Sequence, residues 1–161
     1  IEPLIAALGD GEWTVRAAAA WALGSMGPEA EPAIGTLVRA LNDAHLHVRA
    51  SAATALGGIG PKAGGAIPQL VKNLKDDEWH VRIRAMWALF RVAPDSEEAM
   101  SGFVDALGDA DSEVRANAAL GLGNFSRRAK QTVPLLGKLV EDDDWFVRLK
   151  ASEALQKITA Q

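Results

Sequence analysis

Three histidines, five tryptophans and evenly spaced aspartates and arginines are the residues of this chain with the means to do chemistry; cysteine and tyrosine are absent. The missing cysteine removes disulfides, thiolate nucleophiles and thiolate metal sites together. His45, His47 and His80 raise the thought of a metal. His47 and His80 share a place in a sequence repeat, which sets them side by side on neighbouring helices about 10 Å apart. Two imidazoles without a carboxylate of fixed geometry make a poor zinc site. The run Asp142-Asp143-Asp144 lacks the alternating ligands and central glycine of a calcium loop, so it reads as a solvated turn. Ser25, Ser51, Ser96, Ser101, Ser112, Ser126 and Ser152 sit in no glycine elbow. The glycines end or pack helices rather than cradle a phosphate. With no nucleophile–base set in view, the expectation is a protein that is not an enzyme, with no catalytic residue, no metal and no cofactor.

The elements that carry these residues follow from a repeat. Val-Arg recurs at Val15-Arg16, Val48-Arg49, Val81-Arg82, Val114-Arg115 and Val147-Arg148, each step being 33 residues. Asp10, Asp43, Asp76, Asp109 and Asp142 keep that spacing, as do Leu23, Leu56, Leu89, Leu122 and Leu155. Five copies in register fill the chain as one array, with units of about 1–30, 31–63, 64–96, 97–129 and 130–161. Each unit reads as two helices. Ile34, Leu37, Val38 and Leu41 make one 3.6-residue stripe, repeated by Ile67, Leu70, Val71 and Leu74. An acidic turn such as Asp76-Asp77-Glu78 follows, whose carboxylates are suited to cap the next helix. The second helix carries its own stripe, Val15, Ala19, Ala22, Leu23 and Met26, and stops at Gly27-Pro28, Gly60-Pro61 and Ala93-Pro94.

Neither helix is long enough to be stable alone, so neighbouring units must share a core. Small residues stand where adjacent second helices should touch: Ala20, Ala53 and Ala119, then Gly24, Gly57 and Gly123. Met86 and Phe90 break that pattern in the third copy. Ser152 and Gln156 break it in the fifth, which reads as a polar cap. The fold class expected is all-α, an α-solenoid (alpha-alpha superhelix of the ARM/HEAT type) of five helical hairpins.

A 33-residue period is also the ankyrin length, but the Thr-Pro-Leu-His stretch and hairpin of ankyrin units are missing. The run from Leu41-Asn42-Asp43 through Val48-Arg49, Ala52-Ala53 and Ala55-Leu56-Gly57 to Gly60-Pro61 instead resembles the short HEAT-like repeat of phycobilisome lyase subunits. Copies four and five depart at their ends, which lack the proline. The resemblance implies that each repeat arginine bonds the acidic turn of a neighbouring unit, a structural ladder rather than an active site. It also implies that the second helices line a concave face. The His-Glu pairs of iron-binding HEAT-like hydroxylases are absent.

All five tryptophans fall at two repeat positions: Trp13, Trp79 and Trp145 at one, Trp21 and Trp87 at the other. At about 100° per residue, the side of the second helix opposite its core stripe carries the positions of Thr14, Ala17, Ala18, Trp21 and Ser25, with Trp13 at its border. The candidate partner-binding residues on this side are Trp13, Trp21, His47, Trp79, His80, Arg84, Trp87, Arg91, Asn117, Trp145, Lys150 and Lys157. Copies one, three and five are bulky here and copies two and four small, which predicts ridges with grooves between. For the tryptophans at the position of Trp13, packing between units and exposure are both open readings. At the position of Trp21, polar and small neighbours favour exposure and binding.

Net charge is −4, with 24% charged and 48% hydrophobic residues, so the chain as a whole attracts neither nucleic acid nor anionic lipid. The strip is more basic, with Arg84, Arg91, Lys150 and Lys157 against Glu113 and Glu153. A protein or peptide in the groove, selected as acidic by a basic far end, is the first expectation for a partner. Nucleic acid is the second, with few basic residues to support it. A subunit or regulatory segment of a larger enzyme, such as a bilin lyase, is the third. No stretch reaches the roughly 20 apolar residues of a membrane span and no signal peptide opens the chain, so a cytoplasmic protein with no membrane partner is expected.

Overall fold

The computed structural model describes residues 1–160, with Ser126 and Arg127 described for their backbone alone; Gln161, the last residue of the fifth copy, lies outside the described residues. Every regular element among them is helical: α1 (Glu2–Ala7), α2 (Trp13–Ser25), α3 (Ile34–Ala40), α4 (Leu46–Ile59), α5 (Ile67–Asn73), α6 (Trp79–Val92), α7 (Glu97–Ala106), α8 (Ser112–Asn124), α9 (Val133–Leu139) and α10 (Trp145–Thr159). The chain is an all-α solenoid of helical repeats. It falls into two compact units, Ile1–Pro94 with three hairpins and Asp95–Gln161 with two.

The hairpins carry a third piece that periodicity did not reveal. A 3₁₀ segment leads into the first helix at Gly27–Ala33, Gly60–Ala66 and Ser126–Thr132. Proline explains the first two: Pro28 and Pro61 each open the segment, where a missing N–H costs nothing. Gly27 and Gly60 enter it at φ of 61° and 78°, a left-handed backbone that suits glycine. Between α6 and α7 there is no such segment, and Ser96 caps α7 directly by accepting from the Ala99 N–H at 3.2 Å.

Second helices pack side by side within each unit, α2 on α4 on α6 in the first and α8 on α10 in the second. Glycine sets how closely. A Cβ on Gly24 would stand 2.7 Å from Ala55 Cα, and one on Gly123 would stand 2.9 Å from Ala154 Cα. Leu23, Leu37, Leu41, Leu56, Leu70 and Leu89 fill the core of the first unit, and Phe103, Leu122, Leu136 and Ile158 that of the second. One expected core residue lies outside: Val15 is exposed, whereas Val48 and Val81 at the same place are buried.

The repeat arginine and aspartate form the expected ladder. Arg16 donates from Nε and Nη2 to the two Asp43 oxygens at 2.7 and 2.9 Å. Its Nη1 meanwhile holds the Asp10 and Gly11 carbonyls of its own turn at 2.9 and 3.0 Å. Arg49 repeats this with Asp76, and Arg115 with Asp142. The Arg16 guanidinium holds Asp43 below the usual carboxylate range, and Arg115 does the same for Asp142. At Asp76 burial pushes the carboxyl up, but Arg49 and the Glu78 N–H together pull it below its ordinary value.

The acidic turns differ from expectation in detail. Asp10, Asp43, Asp76, Asp109 and Asp142 do not cap the helices; each accepts the backbone N–H two residues on, which fixes the turn. Capping falls to the residue just before the helix. Asp111 and Asp144 perform it, while Glu12 and Glu78 make no side-chain cap.

Candidate functional site

The candidate residues all lie on second helices, on the side away from the leucine core, and the two units carry separate parts of the set. The tryptophans do not sort by repeat position. Trp21 and Trp145 are open, at 66% and 65% exposure, whereas Trp13, Trp79 and Trp87 lie between 36% and 40%. Each difference has a contact behind it. Trp13 stacks on His45 of the next turn, with centroids 3.8 Å apart and planes 7° apart, and lies 5.3 Å from His47. Trp79 stacks on His80 at 3.5 Å. The Trp87 ring lies across Gly57, where a Cβ would come within 2.6 Å of Cζ3. Position 21 is therefore an open site in one copy and a packing site in another.

Arg91 belongs with that packing. Its guanidinium sits 5.1 Å from the Trp87 ring centroid, and its Nε donates to the Gly57 carbonyl at 2.9 Å. The expected basic far end is likewise already engaged. Lys150 pairs with Glu153 at 2.9 Å and lies 5.3 Å from the Phe146 ring centroid. Lys157 donates to Asn124 Oδ1 at 3.2 Å. The Lys150–Glu153 pair was readable from its i,i+3 spacing. Asn117 bonds back to the Glu113 carbonyl at 2.8 Å within α8. Arg84 is the strip's basic side chain with no hydrogen bond or ion pair among the described residues.

In the first unit these side chains frame a trough of about 390 Å³. Trp21 forms one wall and His80 with Arg84 the other, while Leu46, His47, Ala50, Ser51 and Thr54 of α4 make the floor. The floor is low because the second copy carries small residues where the first and third carry indoles. This is the groove between ridges that the alternation of bulky and small copies predicts. Ser51 and Thr54 were readable only as small residues, yet they place hydroxyls in the floor. In the second unit Trp145 and Leu149 are both exposed, with Phe146 edge-on to Trp145 at 5.6 Å. Among the described residues no cluster of three histidines or carboxylates could hold a metal, and no helix is long and apolar enough to cross a membrane.

HEAT repeats match the chain over residues 1–90, 34–108 and 100–161. No curated protein matches it. Among solved structures, an engineered protein is 28% identical at a TM-score of 0.74, over 99% of this chain and 79% of that one. A designed armadillo repeat protein in complex with the peptide (KR)4 is 27% identical at a TM-score of 0.78, over 98% of this chain and 81% of that one. The complex of CpcE and CpcF of phycocyanin lyase from Nostoc sp. PCC7120 is similar in fold, at a TM-score of 0.83 and 24% identity, over 99% of this chain and 65% of that one. With the repeat arginine–aspartate ladder, the glycine-spaced second helices and matches that together span its length, the chain belongs to the HEAT repeat family.

Proposed function

We propose that the chain is a non-catalytic scaffold that binds a peptide, or an extended segment of a protein, along the open side of its second helices. The observation that carries this reading is Trp21, a large apolar side chain left two-thirds exposed as the wall of a trough floored by small residues. Exposed aromatic anchors beside a depression are the composition of a binding hot spot. A designed armadillo repeat protein of similar fold is in complex with a peptide, which supports the same use here. Its place is the cytoplasm, in keeping with a chain that has no cysteine.

Nucleic acid fits less well. Of the strip's four basic residues, Arg91, Lys150 and Lys157 already hold partners, so few charges are left for phosphates. The likeness to the CpcE–CpcF complex favours one variant of the proposal, in which the bound protein is a companion subunit.

Titration of the chain with immobilised peptides and with single-stranded DNA, each at low and moderate salt, separates these readings. Peptide binding that changes little with salt supports the scaffold. Binding to DNA alone, lost steeply as salt rises, overturns it.

A further inference from the structure

The trough has a chemical bias beyond its shape. Its polar residues are His47, Ser51, Thr54, His80 and Arg84, and no carboxylate lines it. Thr54 spends its hydroxyl on the Ala50 carbonyl at 2.9 Å. The other four side chains make no hydrogen bond among the described residues, and the His47 and His80 rings are held by contacts with Trp13 and Trp79 rather than by an acceptor. This is unlike the rest of the chain. Arg16, Arg49 and Arg115 are held by aspartates, and Arg91 by a carbonyl. At the position of Arg84 the other copies carry Ala18, Ser51, Asn117 and Lys150, so a free guanidinium is peculiar to the third copy.

We infer that this trough receives an oxyanion, a carboxylate or a phosphate, carried by the bound peptide, with the Trp21 indole covering an apolar side chain next to it. The inference rests on the peptide-binding reading and names the chemistry of its ligand. A guanidinium offers paired N–H donors that match both anions. The two imidazoles and the Ser51 hydroxyl add donors without an opposing acid. A basic peptide has nothing to pair with here, so (KR)4 is the natural negative probe.

The test presents the whole chain to an array of short peptides. Each holds an aromatic or aliphatic residue beside one variable position occupied by glutamate, phosphoserine, glutamine or lysine. The strongest binder is then titrated against the wild type, Arg84→Gln, Trp21→Ser and, as a control on an outer helix, Lys72→Gln. Glutamate or phosphoserine is expected to be required, and whichever binds better identifies the anion. Arg84→Gln should weaken that peptide about tenfold, the loss of one charge-assisted contact, with Lys72→Gln unchanged. Binding that depends on Trp21 but tolerates glutamine, or that accepts (KR)4 equally, overturns the oxyanion while leaving the peptide reading intact. Should no peptide bind, the NMR signals of His47 and His80 are followed against inorganic phosphate. Saturable shifts abolished by Arg84→Gln keep the anion site and remove the peptide reading; silence removes both.

Discussion

The indole of Trp87 lies across Gly57, so close that a Cβ on that glycine would stand 2.6 Å from the ring and 3.0 Å from Ala88 Cα. Arg91 then closes the arrangement by bonding the Gly57 carbonyl beneath the same ring. Glycine at this place therefore seats an aromatic ring as well as a helix.

Gly57→Ala is expected to destabilise the chain by about 1–3 kcal/mol, the usual cost of forcing atoms into a packed contact. Trp87→Ser should also lower the thermal midpoint, because it strips the cover from α4. Chemical denaturation of both variants checks this. A Gly57→Ala variant as stable as the wild type would mean that Trp87 is free to swing away.

Trp21→Ser should behave differently despite sharing the repeat position. Trp21 makes no ring contact among the described residues and is largely exposed, so its loss should change stability by no more than about 0.5 kcal/mol. Comparing the two serine variants in one melting experiment separates the open tryptophan from the packed one.

The arginine–aspartate ladder predicts an acid dependence. Asp43, Asp76 and Asp142 have lower pKa values in the folded chain than in the unfolded one. Their contribution is thus complete above the unfolded value near 3.9 and is lost as pH falls through the folded values. The melting temperature should hold from neutral pH to about pH 5 and drop below about pH 4. In Asp76→Asn the neutral-pH stability should be lower and the acid drop shallower than in the wild type.

Asp144 caps α10 by accepting from the Phe146 and Val147 N–H groups at 2.8 and 3.4 Å. Asp144→Ala should cost about 1 kcal/mol, and Asp144→Asn much less, since asparagine caps about as well. Urea unfolding of the two variants provides the comparison.

Much of this was legible in the sequence, the repeat and its contact positions from the residues and the arginine–aspartate bonds from the resemblance to short HEAT-like repeats. The 33-residue register placed Arg16, Arg49 and Arg115 one unit from their aspartates, and the small residues at Gly24 and Gly57 marked where helices touch. The 3₁₀ segments were not legible, since a run such as Gly-Pro-Glu-Ala-Glu-Pro-Ala has no hydrophobic period to read. The sorting of the tryptophans was hidden for another reason. Periodicity gives the direction of a side chain on its own helix, whereas exposure depends on what a neighbouring copy offers. Trp87 meets Gly57 of the copy before it, and Trp13 meets His45 of the copy after it. Trp21 has no such partner among the described residues and stays open. The strip has less free charge than its sequence predicts for a similar reason, because the partners of Arg91 and Lys157 come from neighbouring helices.

The most direct measurement is calorimetric titration of an array-selected peptide into the wild type and Trp21→Ser, with both melting curves recorded in the same buffer. The account predicts an affinity at least about tenfold weaker for the variant at an unchanged melting temperature. Equal affinity in the two proteins would contradict it, because the open tryptophan would then have no part in binding.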